Sequence, residues 1–281
     1  MSETLSQPKR VIGMHFFNPA EKMQLVELVC GSETSEATIA YAAALISGLG
    51  KYPVVVQDVP GFLVNRTLTP YLVEGAYLLS EGFSVSQIDK TAKKFGMPMG
   101  PFQLLDEIGL DIAAKVSQIM ETKYGIRMQG PKHAEELTAK GLYGKKSGSG
   151  FYNHQGKKRT LNTDVPQMLG LTDVKPTETS KDELEKRLIY PFVNEAIRCL
   201  DDGVCGVPGK EAACQIDLAS VFGTGFAPFR GGIISYAESV GAKELATTLS
   251  SYAKKYGERY EPAPGIKKRA ENGKSFYESA D

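Results

Sequence analysis

Gly13-Met14-His15-Phe16-Phe17-Asn18-Pro19 and, after a turn-rich link, Leu25-Val26-Glu27-Leu28-Val29-Cys30 read as two extended segments rich in aromatic and β-branched residues. The first run holds His15 and the second holds one carboxylate, Glu27, twelve positions on. A lone carboxylate buried in such a run costs on the order of several kcal/mol, so it calls for a partner. His15 is the partner at hand. A carboxylate against an imidazole fixes its tautomer and steadies its protonated form, which suits a general base. The plainer alternative is a core histidine bonded to a backbone carbonyl, with Glu27 turned to solvent from an edge strand.

Working outward, Val11 to Phe17 and Leu25 to Cys30 are expected strands joined by Asn18-Pro19-Ala20-Glu21-Lys22. The spacing of Ile39, Ala42, Ala43 and Ile46 predicts a helix from Ser35, a capping residue, to Leu49, with Gly50 as its stop. Pro53 to Val56 is a third short strand, ending at Asp58-Val59-Pro60-Gly61. Two strands, a helix and a strand without a phosphate loop look like the back portion of an α/β domain, over 1–60. From Phe62 onward the pattern is helical: 63–79, 85–95, 100–124 and 132–140. Gly141 to Tyr152 is a glycine-rich basic loop, and 153–180 is polar with scattered prolines, the expected linker. A second helical block begins at Lys181.

Composition narrows the class. The 281 residues suffice for about two cores. An apolar fraction of 42% with 23% charged residues is that of a soluble globular chain. Lys+Arg and Asp+Glu balance at 33 each, so no global field favours nucleic acid or an anionic membrane. Cys30, Cys199, Cys205 and Cys214 form no CxxC pair and no zinc-like spacing, which points to a reducing, intracellular setting and no metal. No apolar run nears the roughly 20 residues of a membrane span. Met1 to Pro8 reads as a short helix tail running into a strand, as though the chain begins inside a domain.

The second helical block echoes the first. Pro70-Tyr71-Leu72-Val73-Glu74-Gly75-Ala76 matches Pro191-Phe192-Val193-Asn194-Glu195-Ala196-Ile197 at an offset of 121, and Arg187 stands where Arg66 stands. Ile88-Asp89 matches Ile216-Asp217 at 128, and Phe95-Gly96 through Pro101-Phe102 matches Phe222-Gly223 through Pro228-Phe229 at 127. Agreement in order, apolar class and Gly/Pro punctuation over roughly three dozen positions predicts a duplicated helical unit. Asn65 is replaced by Lys186 in the second copy, and a residue peculiar to the first copy points to chemistry rather than to shared packing.

His15-Phe16-Phe17-Asn18-Pro19, Leu25-Val26-Glu27, Asp58-Val59-Pro60-Gly61-Phe62-Leu63-Val64-Asn65-Arg66, Pro98-Met99-Gly100-Pro101 and Gly144-Lys145-Lys146-Ser147-Gly148-Ser149-Gly150-Phe151-Tyr152 resemble, in order and spacing, the 3-hydroxyacyl-CoA dehydrogenases. The second helical copy is similar to the long form found in the multifunctional α-subunit of fatty-acid β-oxidation. The resemblance implies a mainly α fold with a partial α/β (Rossmann-remnant) N-terminal part and two repeated helical C-terminal-type domains, at 61–152 and 181–281. It implies NAD as cofactor and oxidation of (3S)-3-hydroxyacyl-CoA to 3-oxoacyl-CoA. His15 would be the base on the 3-hydroxyl, Glu27 would orient and charge-stabilise it, and Asn65 would hold the substrate oxygen. Asn18 and Lys146 would meet the cofactor. Acyl-CoA is the implied substrate, with a homodimer or a thiolase of a β-oxidation complex as partner. The implied location is the bacterial cytoplasm, or the mitochondrial matrix or peroxisome in a eukaryote.

Departures from the family pattern matter too. No Gly-x-Gly-x-x-Gly opens the chain, nor an acidic residue placed to hold a ribose. The expectation is therefore a C-terminal remnant of the dinucleotide-binding domain, in a truncated chain with little dehydrogenase activity alone. The alternative from another class is a non-catalytic helical assembly or dimerisation module of a multifunctional enzyme.

Overall fold

The computed structural model describes residues 5–156 and 158–280; the start of the expected N-terminal helix tail, 1–4, lies outside them. Within the described part of that tail, Pro8–Arg10 forms a short 3-10 turn.

The N-terminal sheet has the order β1 (Gly13–Phe16), β2 (Leu25–Cys30), β3 (Tyr52–Gln57), with α1 (Glu36–Gly48) crossing between the last two. β1 runs antiparallel to β2, while β2 and β3 are parallel, as a strand–helix–strand unit requires. All six residues of β2 are buried, so its sequence shows no alternation. Val26 and Leu28 pack against Ala42 and Ile46 of α1. Ser35 caps α1, its Oγ accepting the Thr38 N–H.

Beyond Gly61 the described chain is mainly helical: α2 (Val64–Ser80), α3 (Val85–Phe95), α4 (Pro101–Ile108), α5 (Leu110–Tyr124) and α6 (His133–Ala139). The expected single helix over 100–124 is two. Gly109, at φ +99°, breaks the i to i−4 ladder between Ile108 and Leu110. The expected linker 153–180 is also more ordered than its composition suggests. It contains most of a hairpin of β4 (Tyr152–Gln155) and β5 (Lys158–Leu161) and a short α7 (Val165–Met168). Cross-strand pairing, which leaves no helical period, organises that polar stretch.

The later elements are α8 (Lys181–Asp201), α9 (Lys210–Ala219), α10 (Ile233–Val240), α11 (Ala242–Tyr256) and α12 (Pro264–Asn272). Pro70 and Pro191 both lie inside long helices. α4 and α5 flank Gly109 with 8 and 15 residues, and α10 and α11 flank Gly241, at φ +88°, with the same lengths. The register expected at Pro228-Phe229 is corrected by this. Those residues open a 3-10 turn, Pro228–Arg230, and the helix corresponding to α4 starts five residues later, at Ile233.

The chain divides into two compact units, Met1–Thr67 with Val193–Ser250 and Pro262–Asp281, and Leu68–Phe192 with Ser251–Glu261. All four cysteines are free, three of them buried. Among the described residues no helix is long and apolar enough to cross a membrane.

Candidate active site

β1 and β2 pair in a register that puts His15 directly opposite Glu27, with Gly13 opposite Val29 and Phe16 opposite Val26. Directly opposed residues of an antiparallel pair share one face with Cβ atoms about 5 Å apart. The twelve-residue spacing therefore becomes contact: His15 Nδ1 donates to Glu27 Oε2 at 2.7 Å. The histidine side chain is 30% exposed, and that of the glutamate is not exposed at all. With Nδ1 turned to the carboxylate, Nε2 is the nitrogen left to exchange a proton. The Phe17 and Phe62 rings lie 4.6 and 5.4 Å from the imidazole, centroid to centroid, and give it apolar neighbours.

The second oxygen of Glu27 has a separate task. Oε1 accepts the backbone N–H groups of Leu63 and Val64 at 3.0 and 2.9 Å. These belong to the entry of α2, where the first N–H groups have no partner inside the helix and the helix dipole favours negative charge. The chain enters α2 through Gly61 at φ +78° and Phe62 at φ +47°. Phe62 is a non-glycine in the left-handed region, a conformation costing about 1 kcal/mol or more, held where its ring meets His15. Asn65, half-buried, stands in the first turn of the same helix, next to the N–H groups that hold Glu27. One compact unit thus contains His15, Glu27 and Asn65.

Asn18 is exposed just beyond β1, in the Asn18–Pro19 cis peptide. Lys146 belongs to the other unit, where its half-exposed ammonium pairs with Asp111 of α5 and lies 5.6 Å from the centroid of the Tyr143 ring. Sequence reasoning singled out His15, Glu27 and Asn65 but gave Phe62, Leu63 and Val64 no separate role. The signal available for them was the Pro60-Gly61 turn immediately before a helical pattern.

The βαβ unit here is built of β2, α1 and β3. Its helix-opening loop, Gly31 to Ser35, satisfies its own groups: Gly31 N–H donates to Thr34 Oγ1, Thr34 N–H to Gly31 O, and Thr38 N–H to Ser35 Oγ. Glu33 adds a negative charge there. Among the described residues no cluster of three or more His, Cys, Asp or Glu is arranged to hold a metal.

Residues 1–59 match the model of the 3-hydroxyacyl-CoA dehydrogenase NAD binding domain, and residues 61–154 match that of the 3-hydroxyacyl-CoA dehydrogenase C-terminal domain. The chain is 40% identical over 279 residues to the fatty acid oxidation complex subunit alpha of Vibrio vulnificus, covering 99% of this chain and 39% of that protein. It thus spans about two fifths of the curated relative it matches. The crystal structure of 3-hydroxybutyryl-CoA dehydrogenase from Escherichia coli K12 is similar in fold, with a TM-score of 0.81 and 24% identity over 96% of this chain and 72% of that one. The (S)-3-hydroxybutyryl-CoA dehydrogenase PaaH1 from Ralstonia eutropha is 40% identical, with a TM-score of 0.52 over 55% of this chain and 56% of that one.

Proposed function

The chain belongs to the 3-hydroxyacyl-CoA dehydrogenase family, and on that premise we propose that it carries the proton-transfer centre of NAD-dependent oxidation of (3S)-3-hydroxyacyl-CoA to 3-oxoacyl-CoA. The observation supporting this reading is the His15–Glu27 pair, with Nδ1 on the carboxylate and Nε2 left for substrate. Glu27 holds the tautomer in which Nε2 carries a lone pair. His15 Nε2 takes the proton of the 3-hydroxyl while the carbonyl forms at C3, and the imidazolium is stabilised by the carboxylate. Asn65 would donate to the substrate oxygen and orient it. When bound, NAD supplies the hydride acceptor. Asn18 is proposed to meet its nicotinamide end, and Lys146 is proposed as a further cofactor contact, testable as a loss of NAD affinity in Lys146→Ala.

The relatives are α-subunits of a complex, so a second subunit, a thiolase by the resemblance, is the proposed partner. We also read the matching helices and ion clusters as a duplication of the C-terminal-type domain, with boundaries near 61–152 and 181–281.

The test is reduction of acetoacetyl-CoA by NADH, with calorimetric binding of acetoacetyl-CoA beside it. No Gly-x-Gly-x-x-Gly occurs in the sequence, so turnover by this polypeptide is expected to be low. His15→Ala should lower whatever turnover is present by about 10^2- to 10^4-fold with ligand binding retained. Equal rates for His15→Ala and the parent chain would overturn the assignment.

A further inference from the structure

Two buried arginines, 121 positions apart, have the same kind of surroundings. Arg66 of α2 donates from Nε to Glu195 at 2.8 Å and from Nη2 to Asp202 at 2.5 Å. Arg187 of α8 donates from Nη2 to Glu74 and from Nη1 to Glu81, both at 2.5 Å. Glu195 follows Glu74, and Asp202 follows Glu81, by the same 121 residues. The two clusters share this pattern of one arginine between two acids, Arg187 having Tyr256 and Tyr260 against it as well, and each cluster lies within one compact unit.

Their neighbourhoods along the chain differ. Arg187 sits well inside α8, which begins at Lys181. Arg66 sits in the first turn of α2, two and three residues after the Val64 and Leu63 N–H groups that hold Glu27. That turn is reached through the left-handed Gly61 and Phe62, and Arg66 N–H closes back on Gly61 O at 3.1 Å. A turn entered through an unfavourable backbone conformation relaxes unless its surroundings hold it. Phe62 N–H bonds Val59 O, and the acids on Arg66 add a charged anchor to this turn beside that of the Glu27 carboxylate.

We propose that Arg66, clamped by Glu195 and Asp202, is a positioning residue for the His15–Glu27 pair: it fixes the α2 entry whose N–H groups fix the carboxylate, and through it the imidazole. This rests on the reading of His15 as the base only for its consequence on rate. The geometric claim stands or falls separately.

The experiment uses the whole chain, 15N-labelled, in two matched variants. Asp202→Asn loosens the clamp beside the site, and Glu81→Gln loosens its counterpart. Both acids are partly exposed, at 56% and 31%, so neither change strips a fully buried charge. The readouts are amide hydrogen exchange at Leu63 and Val64 and the His15 Nδ1–H proton resonance. Asp202→Asn should speed exchange at the two amides about tenfold relative to α10 and α12, and should shift the His15 resonance. Glu81→Gln should lower the melting temperature comparably and leave both site signals in place. Arg66→Lys, which keeps the charge but not the fork, should fall between the parent and Asp202→Asn. Equal effects of the two acid variants on the site signals, or no effect of Asp202→Asn on them, would overturn the proposal. If His15→Ala proves harmless to turnover while Asp202→Asn still moves the site signals, the functional reading fails and the positioning claim survives.

Discussion

Replacing Glu27 by glutamine keeps the side chain's shape but leaves one oxygen where two accept. Oε1 takes two backbone N–H groups at the entry of α2 and Oε2 takes the imidazole N–H. The helix offers two donors and the histidine one, so the amide oxygen of glutamine should face the helix and its NH2 should face Nδ1. Two donors cannot bond, and the imidazole must move its proton to Nε2. Glu27→Gln is therefore expected to convert Nδ1 from the protonated to the lone-pair form, read from imidazole 15N shifts, with a modest stability loss of about 1–3 kcal/mol. An unchanged Nδ1 shift would contradict it. This pair was legible in the sequence because an antiparallel register turns a fixed spacing into contact. The left-handed Phe62 was not, because bulky residues ordinarily avoid that conformation and only the surrounding fold imposes it. Nor was the attachment of Lys146 to Asp111, since 35 residues separate them and no local pattern joins them.

Asp89 of α3 shows how an element's interior carboxylate can organise the next helix. Its oxygens accept the Phe102 and Gln103 N–H groups at the start of α4 and the Tyr152 hydroxyl. Burial pushes its carboxyl up to about 6, against 3.8 in the open chain, even though these bonds and Lys93 pull it down. Below about pH 4 the group holds its proton in both states and costs nothing extra. Between about pH 4 and 6 the native state keeps a proton that the unfolded chain has released, so stability falls as pH rises through this window. Above it the loss is complete, at up to about 3 kcal/mol. Asp106, Asp201 and Asp217 are shifted the same way by burial. Asp89→Asn should shrink the difference in urea-unfolding free energy between pH 4 and pH 7, and an undiminished difference would refute the assignment to this residue. The helix break at Gly109 gives a second prediction. Gly109→Ala and Gly241→Ala should each cost about 1–2 kcal/mol by urea midpoint, since both glycines have positive φ. Open space surrounds a Cβ at Gly241, so a cost there isolates the backbone conformation from crowding. Sequence reading placed α3 to the residue but ran α4 and α5 together, because a single glycine within an apolar period is equally compatible with an unbroken helix.

At the scale of the molecule, the correspondence between the two helical blocks extends from letters to bonds. Asp89 receives the N–H groups opening α4 and the Tyr152 hydroxyl, while Asp217 receives those of Ile234 and Ser235, which open α10, and the Tyr277 hydroxyl. Asp106 takes the Phe151 N–H and Glu238 takes the Phe276 N–H. The arginine clusters follow a different rule: each arginine comes from one block and its acids from the other. The matching stretches were visible in the sequence, but the exchange of partners was not, because no local signal tells which carboxylate an arginine will meet more than 100 residues away. Each compact unit likewise combines parts of both blocks. A piece consisting of 61–154 would contain Arg66 without Glu195 and Asp202, and Glu74 without Arg187 and Arg259. Removing one partner of a buried pair costs about 3–5 kcal/mol, and a domain's whole stability is about 5–15 kcal/mol. Two such losses, about 6–10 kcal/mol together, are as large as a typical domain's stability. Residues 61–154 alone should therefore show no cooperative thermal transition by circular dichroism, and mixing in 155–281 should restore one. A cooperative melt of the isolated piece would mean that the exchanged ion pairs contribute far less than their burial implies.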